Sequence, residues 1–317
     1  MKKLLLATAC ALAIPMAAQA EYPEKPVEFV VPFPPGDLED VLTRMIADEF
    51  QATYGVPAAV VNKPGGAGSK ALIQLKKEKP DGYTLAYAFS HHVTFIPQFR
   101  RETPPYKAAD FDYIGTITWP YFSVVGMADQ GYSTLDEMVK KFKAEGKPIR
   151  MVYSGGPGRL IGEAISRGFD IPVNIIRVRG GGKSMQQILG GHVDIGYTGG
   201  AHTPYTSAGK MKILATVDSK RNPQFPGAPT LQELKIPATT PARQVLVAPK
   251  GLPADIKKKL SDAVLAARTD PNVIKLYATN LKMRMDDHAP DAVPAYMNDE
   301  EQRYGALIKA FDTPDKK

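Results

Sequence analysis

Short apolar segments alternate with amphipathic segments along most of this chain, and that alternation limits the folds it can adopt. Strands are predicted at Val27–Val31, Ala58–Val61 and Thr84–Phe89. Between them, amphipathic patterns indicate helices over about 40–54 and 69–77. Strand–helix–strand alternation is typical of βαβ units on a mainly parallel sheet, so the sequence predicts the α/β class.

The same alternation resumes further along and predicts a second block. Its strands are predicted at Ile149–Tyr153, Val173–Val178, Val193–Tyr197 and Ile213–Val217, and Gln244–Ala248 is predicted to return to the first sheet. A chain that passes from one α/β block to the other and back predicts two lobes with hinge strands between them. Lobe 1 is expected to comprise residues 21–125 and 243–317, with a C-terminal helix free to pack on lobe 2, and lobe 2 to comprise residues 126–242.

The first twenty residues have the pattern of a secretory signal peptide. Lys2 and Lys3 precede an apolar run from Leu4 to Ile14, and Ala18-Gln19-Ala20 supplies a small-residue cleavage site. The apolar run is too short to span a bilayer, which takes roughly 18 or more residues. We therefore expect residues 1–20 to be removed on export, and the mature protein to be periplasmic.

Charge and cysteine usage exclude several kinds of protein. The formal net charge is +7, but the basic residues are spread along the chain without a Lys/Arg run, so no nucleic-acid partner is predicted. The one cysteine lies in the predicted signal peptide, so the mature chain contains no disulfide. The histidines lack metal-ligand spacing, and neither a metal site nor a cofactor is expected.

Four loops follow the same design, in which a strand ends, small or stiff residues follow and a helix begins. They are Pro34–Asp40, Ser90–His92, Ser154–Arg159 and Arg179–Ser184. Helix starts leave backbone N–H groups unpaired, which favours an anion such as a carboxylate. One helix end contributes at most about 2 kcal/mol, whereas micromolar binding needs about 8 kcal/mol. Several loops must therefore converge, and Arg159 and Arg179 are the predicted side-chain anion contacts.

Two motifs resemble catalytic signatures but lack an essential glycine. "RGGGKS" has Arg177 where a phosphate-binding loop requires glycine. "YSGGPG" has Val152 where the G-x-S-x-G nucleophile turn requires glycine. A secreted hydrolase that uses Ser154, or a histidine with an acid, remains an alternative to a binding protein.

An ordered set of motifs resembles one known family. The set comprises "YPEKPVEFVVPFPPG", "VVNKPGGAGSKA", "PDGYTLAYA", "YSGGPGRLIGE", "VRGGGKSMQQILGGHVDIGY", "AGKMKILAT", "PTLQEL" and "LVAPKGLPADIKKKLSDAV". Together these motifs span about Tyr22 to Ala310. The chain resembles the periplasmic solute-binding proteins of tripartite tricarboxylate transporters, also called Bug proteins.

The resemblance implies a two-lobed periplasmic-binding-protein-like fold, type II-like, that closes on a small organic carboxylate without catalysis. The implied partners are membrane permease subunits or a sensor ectodomain, and the implied state is a monomer. A sensory binding protein without a transporter is a further alternative. The predicted ligand-binding residues are Phe33, Pro35, Gly36, Asp37, Leu38, Ser90, His91, Ser154, Gly155, Gly156, Gly158, Arg159, Arg179, Gly180, Asp194 and Thr198.

The first loop departs from the family pattern, which usually continues Pro-Gly-Gly and then small hydroxyl residues. Here Asp37, Leu38 and Glu39 stand in those places, while Asp40 keeps its position. Asp40 and Glu39 fit the preference for acids at a helix start. If Asp37 faced the cleft it would repel a polycarboxylate. That would favour a ligand with an amine, a cation-bridged ligand, or a monocarboxylate whose apolar body lies against Leu38.

Overall fold

The computed structural model describes residues 21–99 and 105–311. The predicted signal peptide, residues 1–20, lies outside these ranges. Within them, no helix combines the length and the apolar character needed to cross a membrane.

The described chain forms strands and helices in the order that the sequence predicts. The strands are β1 (Val27–Val31), β2 (Ala58–Asn62), β3 (Thr84–Phe89), β4 (Phe111–Thr116), β5 (Thr118–Trp119), β6 (Phe122–Met127), β7 (Ile149–Tyr153), β8 (Val173–Arg177), β9 (Ile195–Gly199), β10 (Met211–Thr216), β11 (Gln244–Pro249) and β12 (Arg284–Met285). The helices are α1 (Leu38–Tyr54), α2 (Ser69–Leu75), α3 (Ser90–Thr94), α4 (Leu135–Ala144), α5 (Gly158–Phe169), α6 (Gly181–Leu189), α7 (Thr203–Ser207), α8 (Ala254–Thr269), α9 (Pro271–Val273, continuing as a π-helical turn over Ile274–Asn280) and α10 (Val293–Phe311).

Two five-stranded sheets form the centres of two lobes. The order is β2-β1-β3-β11-β4 in the first sheet and β10-β6-β9-β7-β8 in the second. In each sheet four strands run in one direction and one strand runs against its neighbours. The opposed strands, β11 and β6, are those by which the chain enters each lobe from the other. The predicted two-lobed α/β fold is confirmed.

The chain first crosses between the lobes before β6. All of β6 pairs with β9 and β10, so the second lobe already includes Phe122. Before it, β5 pairs with β12 in a two-stranded ribbon. This ribbon lies beside the point where the chain leaves the first sheet, and it forms part of the hinge.

Both faces of the first sheet are covered. Phe29 packs with α1 and α8, whereas its neighbour Val30 packs on the opposite face with α2 and α10. Burial on both faces explains why β1 is a continuous apolar run instead of an alternating one. The packing holds the carboxyl ends of the strands rigidly, and the loops that follow them are positioned accordingly.

The last helix, α10, contacts both lobes. Val293 and Met297 near its start belong to the apolar core of lobe 1, and Tyr304, Leu307 and Phe311 belong to that of lobe 2. The helix therefore begins on the first lobe and ends on the second.

Candidate functional site

A cavity of about 1240 Å³ lies between the lobes at the carboxyl ends of their strands. This is the position at which open α/β sheets bind ligands. Eleven of the predicted site residues line it: Phe33, Gly36, Asp37, Leu38, His91, Ser154, Gly155, Gly156, Arg179, Gly180 and Thr198. The loops after β1, β3, β7 and β8 therefore meet at one cavity, as the binding argument requires.

The loop after β1 is held by the carboxylate of Asp40. Gly36 N donates to Asp40 Oδ2 at 2.9 Å, Arg44 Nη2 donates to Oδ1 at 2.9 Å, and Asn62 Nδ2 donates to Oδ1 at 2.8 Å. Burial opposes ionisation, but these hydrogen bonds, that of Arg44 foremost, lower the pKa of Asp40 below its ordinary value. Asp40 thus fixes the loop and is not available to a ligand.

The other two acids of this loop line the cavity. Burial raises the pKa of Glu39 to about 7, and the charge of Asp37 adds to the effect. Burial also raises the pKa of half-buried Asp37. The backbone amide of Gly182 has the opposite, smaller effect on this pKa, because it favours the ionised carboxylate. Since Gly182 belongs to the second lobe, the Asp37 carboxylate reaches across the cleft.

The loop after β3 supplies two neutral imidazoles. Burial, and secondarily His92, hold the pKa of His91 well below its ordinary value, and burial lowers the pKa of His92 to about 3. Phe89 N donates to His92 Nδ1 at 3.3 Å, so the neutral ring of His92 carries its proton on Nε2. Both histidines line the cavity and can bond a ligand without adding charge.

Aromatic rings continue from one lobe to the other behind the histidines. Phe89 stacks on His91 with centroids 5.2 Å apart and contacts Phe122 at 5.7 Å. Phe122 in turn stacks on Tyr197 at 4.9 Å. These rings, together with Phe33, give the cavity an apolar inner wall.

Positively charged side chains also line the cavity. Arg177, Arg179 and Lys183 surround the start of α6, and Lys70 lies at the start of α2. All four side chains are exposed, and none of them pairs with an acid of the described residues. They are available to an anion that enters the cleft.

Five predicted residues do not line the cavity: Pro35, Ser90, Gly158, Arg159 and Asp194. The contacts or the position of each residue explain why it does not reach the cavity.

Asp194 precedes β9, whereas Thr198 lies near its carboxyl end, and a rise of about 3.3 Å per residue separates the two by roughly 13 Å. Asp194 instead pairs with Arg150 at 2.8 Å, at the amino ends of β9 and β7. Asp194 therefore does not line the cavity in this structure.

The Ser90 hydroxyl is fully buried behind the cleft. It donates to Glu300 Oε1 at 2.7 Å and accepts from Arg243 N at 2.9 Å. Its partners therefore come from the hinge side of lobe 1, and the hydroxyl holds α3 against α10.

The other three lie at the rim or behind the loop after β7. Arg159 lies 3.6 Å from Glu163 one turn along α5, and is not brought to the cavity. A Cβ at Gly158 would lie 2.7 Å from Tyr153, so this glycine serves close packing of α5 on its sheet. Pro35 is exposed at the outer edge of its loop.

Several lining residues were not predicted. The loop Pro64–Gly68, which follows β2, lines the cavity. Its position after a strand could have predicted this, because open α/β sheets bind ligands at the carboxyl ends of their strands. Leu281, from the segment after α9, has no sequence signal that connects it to the site.

One group of side chains has the spacing of a metal site among the described residues: Asp286, Asp287 and His288. Asp286 already pairs with Arg243 at 2.6 Å and with His288 Nδ1 at 2.6 Å. The ion pair with Arg243 and the hydrogen bond with His288 account for the cluster as part of the hinge.

The family follows from comparison with known proteins. The model of the family described as "Tripartite tricarboxylate transporter family receptor" matches residues 42–313. The chain belongs to this family. A receptor family of this kind consists of binding proteins, so the hydrolase alternative is set aside.

Relatives and solved structures agree with that family. The "UPF0065 protein in gbd 5'region" of Cupriavidus necator is 34% identical over 266 residues, which cover 82% of this chain and 80% of the relative. The periplasmic binding protein BugD is 25% identical, with a TM-score of 0.79 over 91% of this chain and 98% of BugD. MatC from Rhodopseudomonas palustris, with bound malate, is 23% identical with a TM-score of 0.80, over 90% of this chain and 100% of MatC.

Proposed function

We propose that this receptor captures a small organic carboxylate in the periplasm and delivers it to a membrane permease. The cavity between the lobes carries this proposal, because loops of both lobes line it together with four cationic side chains that have no acidic partner among the described residues. The fold accommodates such a ligand in MatC, which holds malate.

Arg179 is the side chain to which we assign the main charge contact. It is exposed at the cavity and has no acidic partner among the described residues. A guanidinium can donate two parallel hydrogen bonds to a carboxylate. The backbone amides of Gly155 and Gly156, in the loop after β7 of the same lobe, supply neutral donors.

Binding is coupled to closure because the loops that line the cavity belong to different lobes. The loops after β1 and β3 come from lobe 1, and those after β7 and β8 come from lobe 2. A ligand bridging them stabilises the closed arrangement over the open one. The permease then recognises the closed form.

A thermal-shift screen tests the proposal. The mature chain is heated with monocarboxylates, dicarboxylates, tricarboxylates and amino acids, and the best hit is titrated by calorimetry. We expect a stoichiometric carboxylate complex without turnover, and at least a tenfold loss of affinity in Arg179→Ala, or about 1.4 kcal/mol. Arg150→Ala, at the amino end of β7 and away from the cavity, is the control and keeps the affinity.

Two results would count against the proposal. If no carboxylate raises the melting temperature, the cavity does not serve as a carboxylate site. If a carboxylate binds equally well to the wild type and to Arg179→Ala, Arg179 is not its anchor.

A further inference from the structure

The side chain of Asp37 does not cap its own helix, although its position in the sequence favours a helix cap. Asp37 is the N-cap residue of α1, where an aspartate normally accepts from the first backbone amides of its own helix. Here it makes no such bond. Its carboxylate instead lies against Gly180, where a Cβ would come 2.7 Å from Oδ2, and near Gly182.

The start of α6 provides what this carboxylate contacts. The helix begins with two glycines, has no acid in its first turn, and receives no side-chain cap from Gly180. Its first amides would otherwise lack a protein acceptor, and the helix dipole favours a negative charge there. The backbone amide of Gly182 indeed favours the ionised form of Asp37.

The contact joins the two lobes. Asp37 belongs to the loop after β1 in lobe 1, and Gly180 lies between β8 and α6 in lobe 2. Asp37 Oδ2 is also buried and has no hydrogen-bond partner among the described residues. The Asp37 carboxylate thus occupies the space beside Gly180, in the loop between β8 and α6 that lines the ligand cavity.

A ligand with two carboxylates would meet this arrangement unfavourably. Its second carboxylate would have to displace Asp37 from the start of α6 or remain beside it as a like charge. A ligand with one carboxylate and an uncharged body avoids either cost, because Phe33 and Leu38 present apolar surface to the same cavity.

We infer that Asp37 is a specificity-determining residue, a built-in carboxylate at the start of α6 that excludes a second ligand carboxylate and selects monocarboxylates. This inference rests on the proposed function, since it concerns the same cavity. It identifies the substrate class as monocarboxylates with an apolar body, and not as dicarboxylates or tricarboxylates.

Matched ligand pairs test the inference: hexanoate against adipate, and benzoate against terephthalate, titrated by calorimetry at pH 8. We expect the wild type to bind the monocarboxylate of at least one pair at least tenfold more tightly than its partner. Asp37→Gly, which empties the start of α6, should shift that ratio at least tenfold toward the dicarboxylate. Glu39→Gln removes an acid from the same cavity without opening α6, and should shift the ratio less than threefold.

The outcomes separate the inference from the proposed function. A wild type that prefers the dicarboxylates, or a ratio that Asp37→Gly and Glu39→Gln change equally, overturns the inference and leaves carboxylate binding intact. Failure of all four ligands to bind the wild type and Asp37→Gly also overturns it. The proposed function fails only if the whole thermal-shift screen shows no carboxylate binding. Melting curves of the variants confirm that they are folded.

Discussion

The imidazole of His91, in lobe 1, lies directly on Gly156, in lobe 2. A Cβ on Gly156 would come 2.7 Å from His91 Nε2, and the glycine has a φ of +59° that other residues rarely adopt. Only glycine lets the two lobes approach this closely. The contact between His91 and Gly156 therefore depends on how closely the two lobes approach.

Gly156→Ala should hinder closure and weaken ligand binding. Left-handed backbone costs a non-glycine residue roughly 1–2 kcal/mol, and the new methyl group must also push His91 away. We expect about a tenfold loss of carboxylate affinity by calorimetry, with the lobes more open in solution scattering.

Gly155→Ala is the matched control for that variant. A Cβ at Gly155 would have no heavy atom within 4 Å, although both glycines line the same cavity. If the two alanine variants bound equally well, contact between His91 and Gly156 would not limit closure.

The pKa of Glu39 predicts a pH dependence of stability. Burial raises it to about 7 from an ordinary 4.5, so the folded protein holds this proton more tightly than the unfolded chain. Its contribution to the free energy of unfolding is therefore fully present below pH 4.5, and is lost as the pH rises through about 7. In urea unfolding from pH 5 to 8, the free energy of unfolding should fall less steeply with pH in Glu39→Gln than in the wild type. Glu49→Gln, on the same helix, should show the same fall in the free energy of unfolding as the wild type.

Asp40 predicts a dependence of the opposite sign. Although burial opposes it, the hydrogen bonds from Arg44, Gly36 and Asn62 lower the pKa of Asp40. Its contribution to stability is present at neutral pH and is lost as the pH falls below the ordinary value of about 3.8. Asp40→Asn should lower the free energy of unfolding at pH 7 by about 1–3 kcal/mol.

The control for this effect lies on the same helix. Asp48 is exposed, and no ion pair joins it to another described residue. Asp48→Asn should change the free energy of unfolding by less than about 0.5 kcal/mol. Equal effects of the two substitutions in urea unfolding would mean that Asp40 does not hold its loop.

Local patterns were sufficient to predict much of the fold. The strands Val27–Val31, Thr84–Phe89 and Ile149–Tyr153 have the predicted bounds because continuous apolar runs between turn residues define them. The strand predicted at Val193–Tyr197 lies two residues further on, at Ile195–Gly199. Its glycines carry little strand signal. Both sets of bounds put Asp194 at the amino end of the strand, and its prediction as a site residue comes from the family resemblance alone.

The sequence could not predict which side chains cross the cleft. Asp37 has the sequence context of a helix cap, and only the relative position of the lobes brings its carboxylate to Gly180. Ser90 likewise follows a strand, yet its hydroxyl bonds Glu300 on the last helix. Such contacts depend on how distant elements pack, which periodicity does not encode.

Arg243, beside the hinge ribbon, offers the last prediction. Its guanidinium lies between the rings of Trp119, at 4.2 Å, and Tyr296, at 3.7 Å, and its Nε is 2.6 Å from Asp286. Both charges are almost fully buried, so removing Arg243 leaves the Asp286 carboxylate with His288 as its remaining side-chain partner and without the arginine charge. Arg243→Ala should lower the free energy of unfolding by about 3–5 kcal/mol, measured by urea unfolding. Arg284→Ala, which also removes an arginine from the face of Trp119 but breaks only an exposed pair, should cost less than about 1 kcal/mol. Equal losses would show that the burial of the Arg243 pair does not stabilise the hinge.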